Sequence, residues 1–215
     1  MTPKSRSKSR RTTPGRPQQG STDAQATIVQ VACLHFARHG IKGSNNRDIA
    51  LEAGVTPAMI HYYFKQKDQL HAAVLDKAFS AFTSALAEVK TLETWVRCFH
   101  SHLCEKPWLP HLMIREVLPP NGTLRPLFLK QIAPIIFTSI RGFITETARA
   151  KKVRRNFDID RHVVLLMGML VYPFMALQIA EDLTGRAFDT KMLEGFRDDA
   201  LKLFLHGITA KQEVL

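Results

Sequence analysis

Residues 40–67 read GIKGSNNRDIALEAGVTPAMIHYYFKQK, and this stretch decides the fold. It opens with polar side chains that can cap a helix and continues with an apolar pair one turn later. Gly54 can adopt the positive φ of a tight reversal. Thr56 followed by Pro57 is typical of a helix start, because a proline at the first helical position gives up no hydrogen bond. The spacing predicts two short helices crossing at a tight turn, a helix-turn-helix.

The second of these helices carries side chains that suit a nucleic acid. In a helix-turn-helix this helix lies in the major groove with its N-terminal half towards the base edges. The side chains that the core does not need include phenols and an imidazole, which can bond phosphate, and cations, which can neutralise it. They are Met59, His61, Tyr62, Tyr63, Lys65 and Lys67. Spacing alone leaves one alternative open, an amphipathic helix pair with a solvated polar face.

The order of residues from 26 to 74 resembles the N-terminal domain of the TetR family of bacterial transcriptional regulators. That domain has a helix ending in phenylalanine, a glycine, an Ile-Ala pair, an Ala-Gly-Val-Ser/Thr turn, a Leu-Tyr-x-x-Phe segment and a lysine before a leucine. This chain supplies these features as Phe36, Gly40, Ile49-Ala50, residues 53–56, residues 60–64, Lys67 and Leu70. The ordered match makes the resemblance far more specific than a single motif would be.

The resemblance implies which residues contact DNA. Phosphates are expected at the start of the second helix, at the tyrosine-bearing end of the third and at the lysine that opens the fourth, and base edges near the start of the third. The contacts so implied are Ser44, Asn45, Asn46, Thr56, Pro57, Ala58, Met59, His61, Tyr62, Tyr63 and Lys67. Two residues depart from the family pattern. His61 stands where tyrosine is usual, and Gln66 stands where serine or threonine would cap the fourth helix.

Composition indicates a packed protein with a polyanionic partner. Of the 215 residues 45% are hydrophobic and 23% charged, and the net charge is +11. Residues 1–21 hold six basic residues and no acidic one, so we expect a disordered basic arm. Its segment 15–17, Gly-Arg-Pro, either enters an A·T-rich minor groove or belongs to a solvated tail. The arm is not followed by a signal-peptide core, and three cysteines form no disulfide framework, which favours a cytoplasmic location.

From residue 22 onward the apolar spacing is helical, so we expect an all-α fold. Breaks in the pattern predict three short helices before Phe64 and five or six longer ones after it. The resemblance assigns residues 22–68 to a three-helix DNA-binding domain with the helix-turn-helix. It assigns residues 69–215 to a larger helical domain for ligand binding and dimerisation.

Two prolines within long helical stretches, Pro134 and Pro173, are expected to kink their helices, because the ring replaces a backbone donor. A kinked helix opens space beside it, and such space suits a mostly apolar ligand with a few polar contacts. Candidates for lining this cavity are Trp108, Met113, Phe137 and Tyr172, although all four can equally be plain core residues.

Residues 163–180 form an uncharged run of eighteen residues, at the lower limit for a membrane span. Because the run contains Pro173 and Gln178, we expect a buried or interface helix and no membrane partner. The last helices, roughly 160–182 and 190–206, are expected to pack against a second copy of the chain. Two recognition helices held about 34 to 36 Å apart would then read both halves of a palindrome.

These expectations combine into one predicted function: a homodimeric repressor on double-stranded DNA, released from a palindromic operator by a mostly apolar small-molecule inducer. The fourth helix, from Lys67 to about Lys90, is expected to swing when the inducer binds. We expect no enzymatic activity, because motifs such as a P-loop or HExxH are missing from the sequence, and no cofactor or metal.

Besides a helical enzyme whose site the sequence does not reveal, two alternatives remain open. The first is a membrane-associated helical protein that uses the basic arm and the uncharged run. The second is a metal-responsive regulator that uses the region of Cys98 and His102, where two cysteine-histidine pairs stand four residues apart. The second pair is His100 with Cys104, and it faces another side of the helix, so a metal site would need ligands from elsewhere.

Overall fold

The computed structural model describes residues 21–150 and 157–208, and every regular element in these residues is helical. The helices are α1 (Ser21–His39), α2 (Asn46–Glu52), α3 (Pro57–Tyr63), α4 (Lys67–Ala85), α5 (Leu92–Glu105), α6 (Leu109–Glu116), α7 (Arg125–Gln131), α8 (Ala133–Ala150), α9 (Ile159–Met175), α10 (Leu177–Thr184) and α11 (Thr190–Ile208). A 3₁₀ turn, Leu86–Glu88, follows α4. The predicted all-α fold, a three-helix N-terminal unit and a larger helical part, is confirmed.

The N-terminal unit packs around one apolar face of α1. Ile28, Ala32 and Phe36 are buried on that face, as their four-residue spacing predicts. Ile49 of α2 and Ile60 of α3 are also buried, so both short helices close against α1 and against each other. This packing holds the two helices, since segments of seven residues are too short to be stable alone.

Helix α4 connects the N-terminal unit to the rest of the molecule. The boundary expected at residue 68 falls within its first turn, so the helix is shared by both parts. Its first half packs on α1, where the Cys33 thiol lies 4.0 Å from Val74 O. Its second half packs on α5, where Phe82 meets Trp95 edge-on with ring centroids 5.8 Å apart. The buried apolar side chains form one continuous core through both parts.

The helix breaks differ from the prediction in several places. The first helix is long, with 19 residues, and eight helices follow Phe64 within the described ranges. Pro134 does not kink a long helix, because it is the second residue of α8, where its missing N–H costs nothing. Pro173 does lie inside a helix, and α9 ends two residues later at Met175.

The uncharged run at 163–180 is split between two helices rather than forming one. After α9 ends, α10 leaves at an angle of 69°. No single helix in residues 21–150 and 157–208 is long and apolar enough to cross a membrane; two bent pairs, α7 with α8 at 47° and α9 with α10, reach that length and composition together. The expected basic arm lies outside the described residues except for Ser21, which begins α1.

Candidate nucleic-acid interface and ligand cavity

The turn between α2 and α3 has the predicted geometry. Asn45 caps α2, since its Oδ1 accepts from Asp48 N at 2.9 Å and its Nδ2 donates to Asp48 Oδ2 at 2.6 Å. Gly54 has a φ of +66°, the left-handed conformation that glycine adopts without strain. Val55 N then donates to Ala50 O at 2.9 Å, which closes the turn and sets how the two helices cross.

Helix α3 buries one side and presents the other to the outside. Ile60 anchors the inner side in the core. The opposite side carries small and polar groups at its start and a phenol near its end, where Tyr62 is 67% exposed. The outward residues are Pro57, Ala58, His61 and Tyr62, with Met59 and Tyr63 half-buried beside them. Most of the side chains expected to contact DNA therefore share one accessible face.

The starts of α3 and α4 carry weak caps. Thr56 occupies the cap position of α3, but its hydroxyl makes no capping bond, contrary to the expectation. Pro57 follows as the first helical residue, as predicted. Gln66 occupies the cap position of α4 and also makes no capping bond, as its departure from the family pattern implies. Lys67 still opens α4 with an exposed side chain.

The three polar residues before α2 have different roles. Ser44 Oγ donates to Gly40 O at 2.6 Å and lies 2.9 Å from His35 Nδ1, so this hydroxyl holds the turn. Asn45 uses its side chain to cap the helix. Asn46 is the one of the three whose side chain makes no hydrogen bond within the described residues, and it is half-buried at the helix start. Of the three, Asn46 therefore keeps its side-chain amide available for a partner outside the described residues.

A notch of about 130 Å³ lies between the starts of α2 and α4, beside α3, and we call it the α2–α4 notch. Apolar residues of the core line its floor. Its rim brings together amide, hydroxyl, imidazole and ammonium groups, a set that suits a phosphate. The rim residues are Ser44, Asn46, His61, Lys65, Gln66 and Lys67. His71 lines the inner side, and burial lowers its pKa, so the positive charge of the notch comes from the two lysines.

Two basic residues extend this surface beyond the expected contacts. Lys65 lies on the rim of the α2–α4 notch, and Arg47 is exposed in the first turn of α2. The sequence already offers Lys65 as a cation that can neutralise phosphate, and Arg47 could have been found there too, because it is a cation next to an expected phosphate contact. The resemblance passed over them because it follows fixed motif positions.

Comparison with known proteins identifies this unit. Residues 28–74 match the family model of bacterial regulatory proteins of the tetR family. The match runs from α1 into α4 and therefore contains the whole helix-turn-helix and the α2–α4 notch. Residues 28–74 are therefore a DNA-binding domain of the TetR family. The chain that carries this domain is a transcriptional regulator.

Proteins similar to this chain include a curated repressor and several solved regulators. The HTH-type transcriptional repressor SCO4008 of Streptomyces coelicolor is 28% identical over 134 residues, which cover 59% of this chain and 70% of that protein. The regulator FadR of Bacillus subtilis, solved with stearoyl-CoA, is 19% identical with a TM-score of 0.68 and covers 86% of this chain and 99% of its own. HlyIIR, a hemolysin II transcriptional regulator, is 19% identical with a TM-score of 0.60, and the match covers 89% of this chain and 99% of HlyIIR. The two structural likenesses show that the helical fold extends beyond the DNA-binding domain.

The larger part of the regulator contains an apolar cavity of about 480 Å³ between helices α4 to α9. Among the described residues that line it there is no charged side chain, and the Tyr172 hydroxyl is the one polar side-chain group. Met113, Phe137 and Tyr172 line the cavity as expected. Trp108 lies outside the lining, half-buried at the residue before α6. Sequence reasoning missed most of the lining, including every contribution from α4, α5 and α7.

The cysteine and histidine region of α5 does not form a metal centre in the described part of the regulator, where no group of three or more potential ligand side chains comes together. His100 Nε2 contacts Leu193 O at 2.9 Å, and Cys104 Sγ lies 3.7 Å from His100 Nδ1. His102 instead packs against the rings of Phe79 and Phe82, with centroids 5.8 and 5.1 Å away. The two predicted pairs thus diverge, as their positions on the helix imply.

Proposed function

We propose that this regulator is a homodimeric cytoplasmic repressor that binds a palindromic DNA site and leaves it when an apolar small molecule occupies its cavity. The observation that carries the proposal is the outward face of α3 next to the lysine-rimmed α2–α4 notch. The outward face of α3 offers side chains that can contact bases, and the α2–α4 notch offers groups that can contact phosphates. A helix-turn-helix uses both kinds of contact. The relative SCO4008 is named a transcriptional repressor, which supports repression rather than activation.

The proposed DNA contacts divide into two classes. Phosphate contacts come from Asn46, from Tyr62 and Tyr63 at the end of α3, and from Lys67. Base contacts come from the exposed first turn of α3, with Pro57, Ala58, Met59 and His61 closest to the groove. Ser44, Asn45 and Thr56 complete the expected set, the first two chiefly by holding the start of α2.

An unpartnered apolar face on α9 and α11 supports the dimer. These two helices pack on each other, and each leaves large apolar side chains exposed. They are Val164, Leu165 and Tyr172 on α9 and Phe196 and Leu203 on α11. Exposed apolar residues grouped on two neighbouring helices mark a protein interface. The sequence predicted two helices in this region, but the structure has three, because α10 separates α9 from α11.

The cavity supports an elongated apolar inducer. Its uncharged lining would leave a buried ionised group without a partner, so the enclosed part of the ligand must be uncharged. The volume of about 480 Å³ falls within the usual range of ligand pockets. FadR, which shares the fold, was solved with a fatty acyl-CoA. A hydrocarbon chain inside, with any polar end near Tyr172, fits these observations.

Helix α4 supports a connection between cavity and DNA. Lys67, at its first residue, rims the α2–α4 notch, and Phe79, three turns later, lines the cavity. An inducer weakens DNA binding only by its different affinity for the two conformations, which typically amounts to about 1 to 3 kcal/mol.

Fluorescence anisotropy on a labelled duplex tests the DNA contacts. Lys67→Ala should weaken binding to operator and random duplex alike and lower the salt dependence, whereas Met59→Ala should change the preferred sequence. Lys130→Ala, which removes an exposed lysine of α7, is the matched control and should leave both unchanged. A Lys67→Ala protein with wild-type affinity for random duplex would overturn the phosphate assignment.

Analytical ultracentrifugation tests the dimer. Leu203 is 66% exposed on the α11 face, so Leu203→Glu should give monomers. Lys202→Glu changes the neighbouring exposed residue by two charges and should leave the dimer intact. A dimeric Leu203→Glu protein, or a monomeric wild type at micromolar concentration, would show that α9 and α11 are not the interface.

A further inference from the structure

A buried carboxylate joins the cavity wall to the DNA-binding domain. Glu116 is the last residue of α6 and is only 6% exposed. Its Oε1 accepts from Ile41 N at 2.7 Å, in the turn that leads into α2. Its Oε2 accepts from Thr123 N at 3.3 Å, in the turn that follows α6. One side chain therefore bridges two turns that belong to different parts of the molecule.

On the cavity side, Glu116 is fixed to a rigid unit. Leu124 N donates to Glu116 O at 3.0 Å, and Arg125 Nη1 donates to the carbonyls of Val117 and Leu118 at 3.1 Å each. This unit forms one wall of the cavity through both the helix and the turn. The wall residues are Leu109, Pro110, Met113 and Leu118. A ligand that displaces the wall therefore displaces the carboxylate.

On the DNA side, the carboxylate accepts a hydrogen bond from the turn before α2. Hydrogen bonds within this turn fix the position of the start of α2. Ser44 N donates to Ile41 O at 3.2 Å, and Ser44 Oγ donates to Gly40 O at 2.6 Å. Gly40 has a φ of +72°, and a Cβ at this position would lie 3.0 Å from Glu116 Oε1. Glycine thus suits this position for two reasons, because it adopts the positive φ and because it leaves room for the carboxylate. Ile41 itself lines the α2–α4 notch.

We propose that Glu116 is the positioning residue that couples the cavity to DNA binding. Displacement of α6 moves the carboxylate away from Ile41 N, the turn before α2 shifts, and the polar rim of the α2–α4 notch loses its alignment. This contact reaches α2 directly and does not pass through α4. The inference rests on the proposed function, because it takes the cavity as a ligand site and α2 as part of the DNA interface.

A double-mutant cycle tests the coupling without knowledge of the natural ligand. Ala133→Phe and Val171→Trp each add a ring to the cavity lining and so imitate occupancy. We expect at least one of them to weaken binding to a duplex selected by the wild-type protein by about 5- to 150-fold, the usual range of allosteric coupling. In a Glu116→Ala background the same substitution should change affinity less than twofold. Arg115→Ala, which removes the exposed neighbouring side chain, should preserve the full effect.

Hydrogen exchange at the Ile41 amide separates coupling from simple loss of structure. Whichever of the two cavity substitutions weakens DNA binding should speed exchange at this amide. It should leave the melting temperature of the DNA-binding domain within a few degrees of the wild-type value. If Glu116→Ala does not fold, Glu116→Met replaces it, since the thioether side chain is of similar length but offers no carboxylate oxygen to Ile41 N.

Three results would overturn the coupling. They are an equal loss of DNA affinity with and without Glu116, no loss from either cavity substitution, and weaker DNA binding with unchanged exchange at Ile41. Failure of the proposed function looks different, because the wild-type protein would then bind selected and random duplexes equally before any substitution is made.

Discussion

Replacing His102 should make the protein more stable and less sensitive to acid. His102 is 4% exposed and lies on α5 between Phe79 and Phe82, and its Nε2 has no hydrogen-bond partner among the described residues. Burial lowers its pKa from 6.5 to about 4, and the nearby Lys106 adds to the effect. The imidazole is therefore neutral in the folded protein at neutral pH, and its environment suits a hydrocarbon ring equally well.

The size of the effect follows from these numbers. The unfolded chain takes up the proton near pH 6.5 and the folded chain only near pH 4. The free energy of unfolding therefore has its full value above pH 6.5 and decreases as the pH falls towards 4. At 1.36 kcal/mol per pKa unit, His102 accounts for a loss of about 3 kcal/mol over this interval. His102→Phe removes that loss, and it also removes an unpartnered buried nitrogen, which adds about 1 to 3 kcal/mol at all pH values. The larger phenyl ring offsets part of this gain.

Urea unfolding at several pH values between 7.5 and 4.5 measures both effects. The free energy of unfolding of His102→Phe should exceed that of the wild type, and the difference should grow as the pH falls. His111→Phe, at an exposed position on α6, serves as the control and should show neither change. A difference between His102→Phe and wild type that stays constant with pH would refute the assignment of a neutral, buried imidazole.

Further predictions concern the turn, the cap and the cavity. Gly40→Ala should destabilise the protein by more than the roughly 1 to 2 kcal/mol that a left-handed alanine costs, because its Cβ also meets the Glu116 carboxylate; thermal unfolding measures this. Asn45→Ala should cost about 1 kcal/mol by urea unfolding, while Asn45→Asp keeps the cap and should cost less. Met167→Trp should reduce the fluorescence gain of the apolar dye Nile red by filling the cavity, whereas Trp in place of the exposed Lys130 should not.

The local features of the DNA-binding domain could be predicted because each rests on neighbouring residues. Gly54 has the predicted positive φ, Pro57 begins α3, and the buried face of α1 follows its four-residue spacing. Each of these features depends on backbone sterics or helix periodicity within a few positions. Thr56 is the exception, since its residue type allows a capping bond that its side chain does not make.

The cavity and the Glu116 contact could not be predicted in the same way. Met113 and Phe137 were found from their size, but Trp108 has the same character and lies outside the lining. Which large apolar residue faces a cavity depends on helix packing between distant segments. The bond from Ile41 to Glu116 spans 75 residues, and no local pattern indicates it. Pro134 was misplaced because a proline can either kink a helix or open a new one, and the local sequence does not show that α7 ends just before it.

Sequencing the duplexes that the purified protein retains from a random library at physiological salt tests the central claim most directly. The account predicts an inverted repeat whose half-sites lie one helical turn apart, about 34 to 36 Å between centres, and whose recovery is lost with Lys67→Ala. A protein that is folded and dimeric, yet enriches no sequence over the starting pool, would contradict it.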